Sequence, residues 1–182
     1  ISRHTLQMLR GAGYPEARLH LIPNAVDASR FEPAQAGHEG PERVVFAGRH
    51  VPVKALDVLL RAWALVRAPE GSLLVLAGDG PEHEGLVALA RELGIESRVE
   101  FPGMVRDVSG LFRRASLYVQ ASHQEGLPNA VLEAMASALP VVATRVSGHE
   151  DVVRDGSTGL LVPPADPAAL AQALQTLVDS PA

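Results

Sequence analysis

Apolar residues in this chain fall into short runs, separated by stretches in which they recur at every third or fourth position. Val44-Val45-Phe46-Ala47 is such a run and ends at Gly48, whereas Leu56, Leu59, Leu60, Trp63 and Val66 are spaced to share one helix face. Leu73 to Ala77 predicts a second buried strand, stopped by Gly78-Asp79-Gly80-Pro81, and a helix from Glu82 to Leu93 follows, capped by Gly94. Strands over Val99–Phe101, Leu117–Val119, Val141–Ala143 and Gly159–Val162 then alternate with helices over Asp107–Arg114, Pro128–Ala138 and Pro167–Val178. Upstream, Ser2–Ala12 reads as a helix, Leu19–Ile22 as a short strand and Pro23–Asp27 as a turn, and Ala34–Pro41 as a surface loop of Gly, Pro and small residues.

Near-continuous apolar strands between amphipathic helices require a parallel sheet covered on both faces. Crossover handedness then predicts a doubly wound, Rossmann-like α/β domain whose six-stranded sheet is mainly parallel. Ligands of such sheets bind at the carboxyl ends of the strands, and the chemically unusual residues of this chain fall there.

Composition narrows the function. The 182 residues are enough for one domain with a core, and aromatics are only 4%, so that core is built from Ala, Val and Leu. A net charge of -5 with no basic run gives nucleic-acid binding no support. There is no cysteine, which excludes disulfides and thiolate metal sites and fits a reducing compartment. No apolar run is long enough to span a bilayer. Ile1-Ser2-Arg3 lacks an initiator Met and reads as the start of a fragment.

Two segments carry candidate chemistry. Gly48-Arg49-His50-Val51-Pro52-Val53-Lys54 joins a strand to a helix and sets two cations at the sheet's carboxyl edge, where helix amides also favour anions. Arg binds phosphate bidentately and Lys adds a mobile charge; two solvated surface cations are the alternative. In Glu125-Gly126-Leu127-Pro128-Asn129-Ala130-Val131-Leu132-Glu133, Glu133 lies in a helix that is apolar on nearly every side and therefore reads as buried. An unpartnered carboxylate there would cost about 2–7 kcal/mol, so it needs a partner: a ribose diol, or alternatively a Lys or backbone amide. Glu125 reads as freer, able to reach the hydroxyls of a bound sugar, and Gly126 lets backbone approach a ligand. Two unrelated glutamates on a helix and its cap are the plainer reading. Gly78-Asp79-Gly80-Pro81 fails as a dinucleotide fingerprint because His83 stands where the third Gly belongs. The seven histidines show no metal-ligand spacing and read mostly as surface residues.

Taken together and in order, these segments resemble the C-terminal domain of the large retaining glycosyltransferase family 4, which has the GT-B fold. Ile22-Pro23-Asn24-Ala25-Val26-Asp27 with Phe31 is similar to the family's "IPNGVD…F", and Phe46-Ala47-Gly48-Arg49 with Lys54 to its "VGR…KG". Gly78-Asp79-Gly80-Pro81 matches "GxGP", Val99 to Gly103 matches "VxFxG", and Ser122 with Glu125 and Glu133 matches the "S…E, seven residues, E" signature. Pro140 to Thr144 and Gly156 to Val162 are similar to "PVVAT" and "GxxGxLV". Ala25 and Ala55 depart from the pattern, each replacing a Gly.

The resemblance implies that residues 1–182 form the nucleotide-sugar (donor) binding domain, with the N-terminal acceptor domain lying outside this chain. Arg49 and Lys54 would neutralise the donor diphosphate, Glu125 would bond the transferred sugar, and Glu133 the ribose hydroxyls. Gly48, Gly78, Gly126, Leu127, Asn129 and Val131 would line the donor site, and Gly103-Met104-Val105 would meet the base through backbone. Glu125, Arg49 and Lys54 are the residues expected to act in catalysis. Transfer would proceed with retention, without metal or cofactor, onto a glycan or lipid-linked acceptor of cell-surface polysaccharide or glycolipid synthesis. The whole protein would be cytoplasmic or peripheral at the inner membrane face, and the fragment alone would have little activity. A GT-B nucleotide-sugar epimerase and a non-catalytic nucleotide-sugar-binding module are the rival readings. An NAD-binding Rossmann domain is disfavoured by the failed fingerprint, and a receiver domain by the lack of clustered acids.

Overall fold

A computed structural model describes residues 3–33 and 41–179; all but the last residue of the predicted loop Ala34–Pro41 lies outside them, as does Ser2. The six predicted strands form. They are β1 (Arg43–Ala47), β2 (Leu73–Ala77), β3 (Val99–Gly103), β4 (Leu117–Gln120), β5 (Val141–Thr144) and β6 (Leu160–Val162). Their order is β3-β2-β1-β4-β5-β6, and every pairing is parallel. β1 therefore sits at the centre, pairing with β2 through Val45↔Val75 and with β4 through Val45↔Tyr118. The chain winds outward one way from β1 and the other way from β4, so the gap between those strands is the switch point where such sheets open a crevice.

Alternation within β1 divides two cores. Val44 and Phe46 face α2 (Leu56–Leu65), α3 (His83–Glu92) and α7 (Pro167–Val178), packing with Trp63, Leu59, Leu86 and Leu174. Val45 faces the other way, with Phe112 of α4 (Val108–Arg113) and Val131 and Ala134 of α5 (Asn129–Ala136). Caps follow the sequence: Asp107 accepts from the Gly110 amide at the start of α4, and Asp166 from Ala168 and Ala169 at the start of α7. The remaining helices are α1 (Arg3–Gly11), whose backbone reaches Asp151 through the Arg3 amide, and the short α6 (Ser147–Glu150). Among the described residues, no helix is long and apolar enough to cross a membrane.

Three expectations are corrected. Leu19–Ile22 forms no strand, and Leu21 and Ile22 are 40% and 74% exposed. An apolar run becomes a strand only where a sheet edge accepts it. The helix expected over Pro128–Ala138 is shorter, because Pro128 occupies its N-cap position and Ala138 turns into the left-handed region at φ 56°. That helix is not wholly buried either: only Val131 and Ala134 are inside. Ala55 adds a finding. It stands where the family pattern has Gly and it adopts φ 49°, ψ 45° between the turn Pro52–Lys54 and α2, while almost fully buried. The left-handed conformation strains an alanine by about 1–2 kcal/mol.

Candidate functional site

The loops leaving the strands' carboxyl ends are bonded to one another rather than splayed. The Gly48 amide donates to the Ala77 carbonyl at 2.9 Å, and the Gly78 amide to the Gly103 carbonyl at 2.8 Å. The His50 amide donates to the Asp79 carbonyl at 2.9 Å. The first two loops are in backbone contact: a Cβ added to Gly78, at φ 136°, would lie 1.8 Å from the Gly48 oxygen. Thus Gly48, Gly78 and Gly103 form one continuous rim. Across the switch point, the His123 amide reaches the Val53 carbonyl at 2.9 Å. A Cβ on Gly148 would fall 2.4 Å from the Gly126 oxygen, so the loop after β5 rests on the Glu125–Gly126 backbone.

The centre of this rim is an ion pair. Lys54 Nζ donates to Glu125 Oε1 at 2.6 Å, joining the loop after β1 to the loop after β4. The same oxygen accepts from Ser122 Oγ at 2.7 Å and from Gln120 Nε2 at 2.5 Å. Behind them the Tyr118 hydroxyl donates to Gln120 Oε1 at 2.7 Å. Burial opposes the charge on Glu125, whose side chain is 10% exposed, but the bonds from Lys54, Ser122 and Gln120 outweigh it and hold its carboxyl below the ordinary glutamate range. Burial also pushes the Tyr118 phenol far up, so it stays a neutral donor.

Glu133 is the opposite case. It is half-buried on α5, and among the described residues no side chain or amide hydrogen-bonds its carboxylate. Burial raises its pKa, with the charge of Arg30 opposing. The sequence reading of a buried Glu133 beside a freer Glu125 is therefore inverted: Glu125 is the more buried and already saturated on one oxygen, while Glu133 is the acceptor without a partner.

The other candidates divide by exposure. Arg49 is exposed, and among the described residues no carboxylate lies within ion-pair distance of it. Gly126 and Asn129 are exposed, Leu127 is half-buried, and Met104 is 77% exposed. Val105 packs against the second core. The Val131 side chain is fully buried there, so only its backbone is available to a ligand. The Leu132 amide bonds the Pro128 carbonyl, leaving the amides of Asn129, Ala130 and Val131 ahead of the first intrahelical bond, as anion-binding helix ends do. Asn24 Nδ2 donates to Asn129 Oδ1 at 2.6 Å and to the Leu127 carbonyl at 3.3 Å, tying the Pro23–Asp27 turn to this loop.

Two features escaped the sequence reading. Tyr118 reads as part of an apolar strand and Gln120 as the residue just past its end, although a glutamine between Val119 and Ala121 is the signal that marks a polar network. His50 and His149 are fully buried, not on the surface. His50 stacks on His83 at 5.5 Å, their Nδ1 atoms 3.3 Å apart, and His149 Nδ1 donates to the Thr144 carbonyl at 2.7 Å. Burial depresses the pKa of both.

Comparison with known proteins shows the family and the fold. Residues 41–180 match the family described as Glycosyl transferases group 1. The D-inositol 3-phosphate glycosyltransferase of Rhodococcus opacus (strain B4) is 38% identical over 194 residues, covering 97% of this chain and 44% of the relative. HepE from Anabaena, solved in complex with UDP and glucose, superposes with a TM-score of 0.89 at 25% identity, over 98% of this chain and 52% of its own. Sucrose-phosphate synthase from Thermosynechococcus elongatus gives a TM-score of 0.87 at 29% identity, over 99% and 48%. The chain spans less than half the length of the curated relative it matches, and in such relatives it corresponds to the C-terminal half. By sequence, sheet order and structural likeness alike, the chain belongs to the group 1 glycosyltransferase family and has the fold of its GT-B C-terminal domains.

Proposed function

We propose that this domain binds a nucleoside-diphosphate sugar and serves glycosyl transfer with retention, the acceptor being held by a partner half that lies outside this chain. The carrying observation is the juxtaposition at the switch point: the Lys54–Glu125 pair joins the loops after β1 and β4, the exposed Arg49 follows Gly48 on the first loop, and Glu133, with no hydrogen-bonding partner among the described residues, stands on the helix that follows the second. Each fits one part of such a donor. Glu133 accepts from a ribose diol, Arg49 and the leading amides of α5 take the diphosphate, and Glu125 accepts from a sugar hydroxyl. Gly103, Met104 and Val105 lie at the end of β3, where a base would meet mostly backbone. In the reaction the acceptor hydroxyl oxygen bonds to the anomeric carbon as the bond from that carbon to the diphosphate breaks; negative charge grows on the departing phosphate, which takes up the proton that the acceptor hydroxyl loses. Arg49 and Lys54 stabilise that charge in place, a contribution that needs no proton transfer. That HepE was solved with UDP and with UDP-glucose supports the donor class. A glycan or lipid-linked acceptor of the cytoplasmic membrane face remains part of the same proposal.

A thermal-shift panel tests it. UDP, GDP, ADP and NAD are added to the 182-residue chain. One nucleoside diphosphate at a hundredfold excess over its Kd adds about 2.7 kcal/mol to stability and raises Tm, whereas NAD does not. A shift with NAD alone overturns the reading.

A further inference from the structure

The bonds around Glu125 have a direction that can be worked out from donors and acceptors alone. An ionised carboxylate only accepts. Gln120 must then face Glu125 with its amide nitrogen, which turns its oxygen back toward Tyr118. That oxygen also only accepts, so the Tyr118 hydroxyl must be the donor, at 2.7 Å. Ser122 gives its single hydrogen to Glu125 and can receive the second amide hydrogen of Gln120, 3.5 Å away. Every link points one way, from the core to the rim. Tyr118 and Ser122 are fully buried and Gln120 is 2% exposed, so water cannot substitute for a missing link.

The network is also lopsided. Lys54, Gln120 and Ser122 all end on Oε1. Among the described residues, none donates to Oε2. We propose that Tyr118 and Gln120 are positioning residues for Glu125: their one-way chain loads Oε1 and leaves Oε2 as the single acceptor presented to a ligand hydroxyl. The part played by Oε2 rests on the donor-site reading; the clamp itself does not. Removing the Tyr118 hydroxyl frees the Gln120 amide to rotate. The amide is then held only from the Glu125 side, so its Nε2 bond to Oε1 is less firmly oriented and weaker, without a change in the packing of the ring. No motif of the family pattern used above assigns either residue, and the site's other groups reach Glu125 without them.

The test needs no ligand at first. The carboxyl carbon of Glu125 is followed by NMR across pH in the wild-type chain, Tyr118→Phe, Gln120→Met and the double variant. Gln120→Met removes one charge-assisted bond and should raise the proton affinity of Glu125 about 10- to 100-fold, whereas Tyr118→Phe, which only loosens that bond, should raise it about two- to tenfold. Tyr118→Phe should add nothing once Gln120 is Met, because its effect passes through the amide. An unchanged Glu125 titration in Tyr118→Phe, or an effect of equal size in both backgrounds, overturns the clamp. Tyr118→Phe removes one oxygen and keeps the ring, so the comparison survives even if Gln120→Met does not fold; Ser122→Ala then replaces it as the reference loss of one bond. In a second arm, affinities for UDP-glucose and UDP are compared. Tyr118→Phe lowers the preference for the sugar-bearing ligand and leaves UDP affinity within about twofold. Loss of both affinities equally contradicts a role at Oε2; if the wild-type chain prefers another nucleoside diphosphate, the arm is run with that nucleotide and its sugar, and absence of binding to UDP, GDP and ADP alike contradicts the donor-site reading and leaves the NMR result standing.

Discussion

Replacing Lys54 with Met removes the cation from the central ion pair while keeping most of the aliphatic stem. At 2.6 Å and an effective dielectric near 20, the gross attraction is roughly 6 kcal/mol. Much of it offsets the desolvation of two charges that are only 21% and 10% exposed in their side chains. Glu125 also keeps its bonds from Ser122 and Gln120. The expected net loss at pH 7 is about 2–3 kcal/mol, a drop in Tm of roughly 5–10 °C for a chain of this size. The pH dependence carries the sharper test. In the wild type the folded-state pKa of Glu125 is lowered, so its contribution is present above the unfolded value and is lost as pH falls through the folded pKa. In Lys54→Met burial is less opposed and the pKa rises, so the carboxylate becomes a liability at neutral pH that protonation relieves. The stability gap between the two proteins should therefore narrow on acidification from pH 7 to pH 4.5. Denaturant melts at several pH values measure it. A gap below about 0.5 kcal/mol, or one that does not change with pH, would refute the view that this is a desolvated pair held at the switch point.

Two further outcomes follow from the same geometry. Gly78→Ala places a carbon against the Gly48 backbone oxygen at a positive φ, so it should lose about 2–5 kcal/mol and disrupt the rim, whereas exposed Gly85→Ala in α3 should be neutral or stabilising by up to about 1 kcal/mol. Equal melting temperatures for the two variants would refute the tight contact. Buried His50 and His149, with folded pKa values depressed by burial, contribute stability that is complete above the unfolded histidine value near 6.5 and declines below it; His149→Gln should flatten part of that decline in melts run from pH 7.5 to pH 5.

What was legible in the sequence was what local pattern dictates. Parallel strands covered on both faces are continuous apolar runs, so Val44–Ala47 and Leu73–Ala77 could be placed within a residue, and α7 was bounded by Pro167 and the end of its apolar stripe. Leu19–Ile22 shows the limit: its composition is that of a strand, but pairing depends on a free edge that no local signal reports. Burial of single polar groups was the other failure. His50 lies inside because Phe46, His83 and Phe101 close over it from three elements, and His149 because its ring turns from α6 onto the Thr144 carbonyl at the end of β5. The inverted burial of Glu125 and Glu133 has the same origin. Their spacing marked both as candidates, yet which one is clamped depends on Tyr118 and Gln120 of β4 meeting Lys54 from the loop after β1.

Whether the rim at the switch point is a nucleoside-diphosphate site is decided by calorimetric titration of UDP, GDP and ADP into the wild-type chain, Arg49→Ala and Glu133→Ala. One nucleotide should bind selectively; Arg49→Ala should weaken it about 10- to 100-fold through the diphosphate, and Glu133→Ala about 5- to 50-fold through the ribose. Binding that is untouched by either substitution would place the ligand elsewhere and contradict the account.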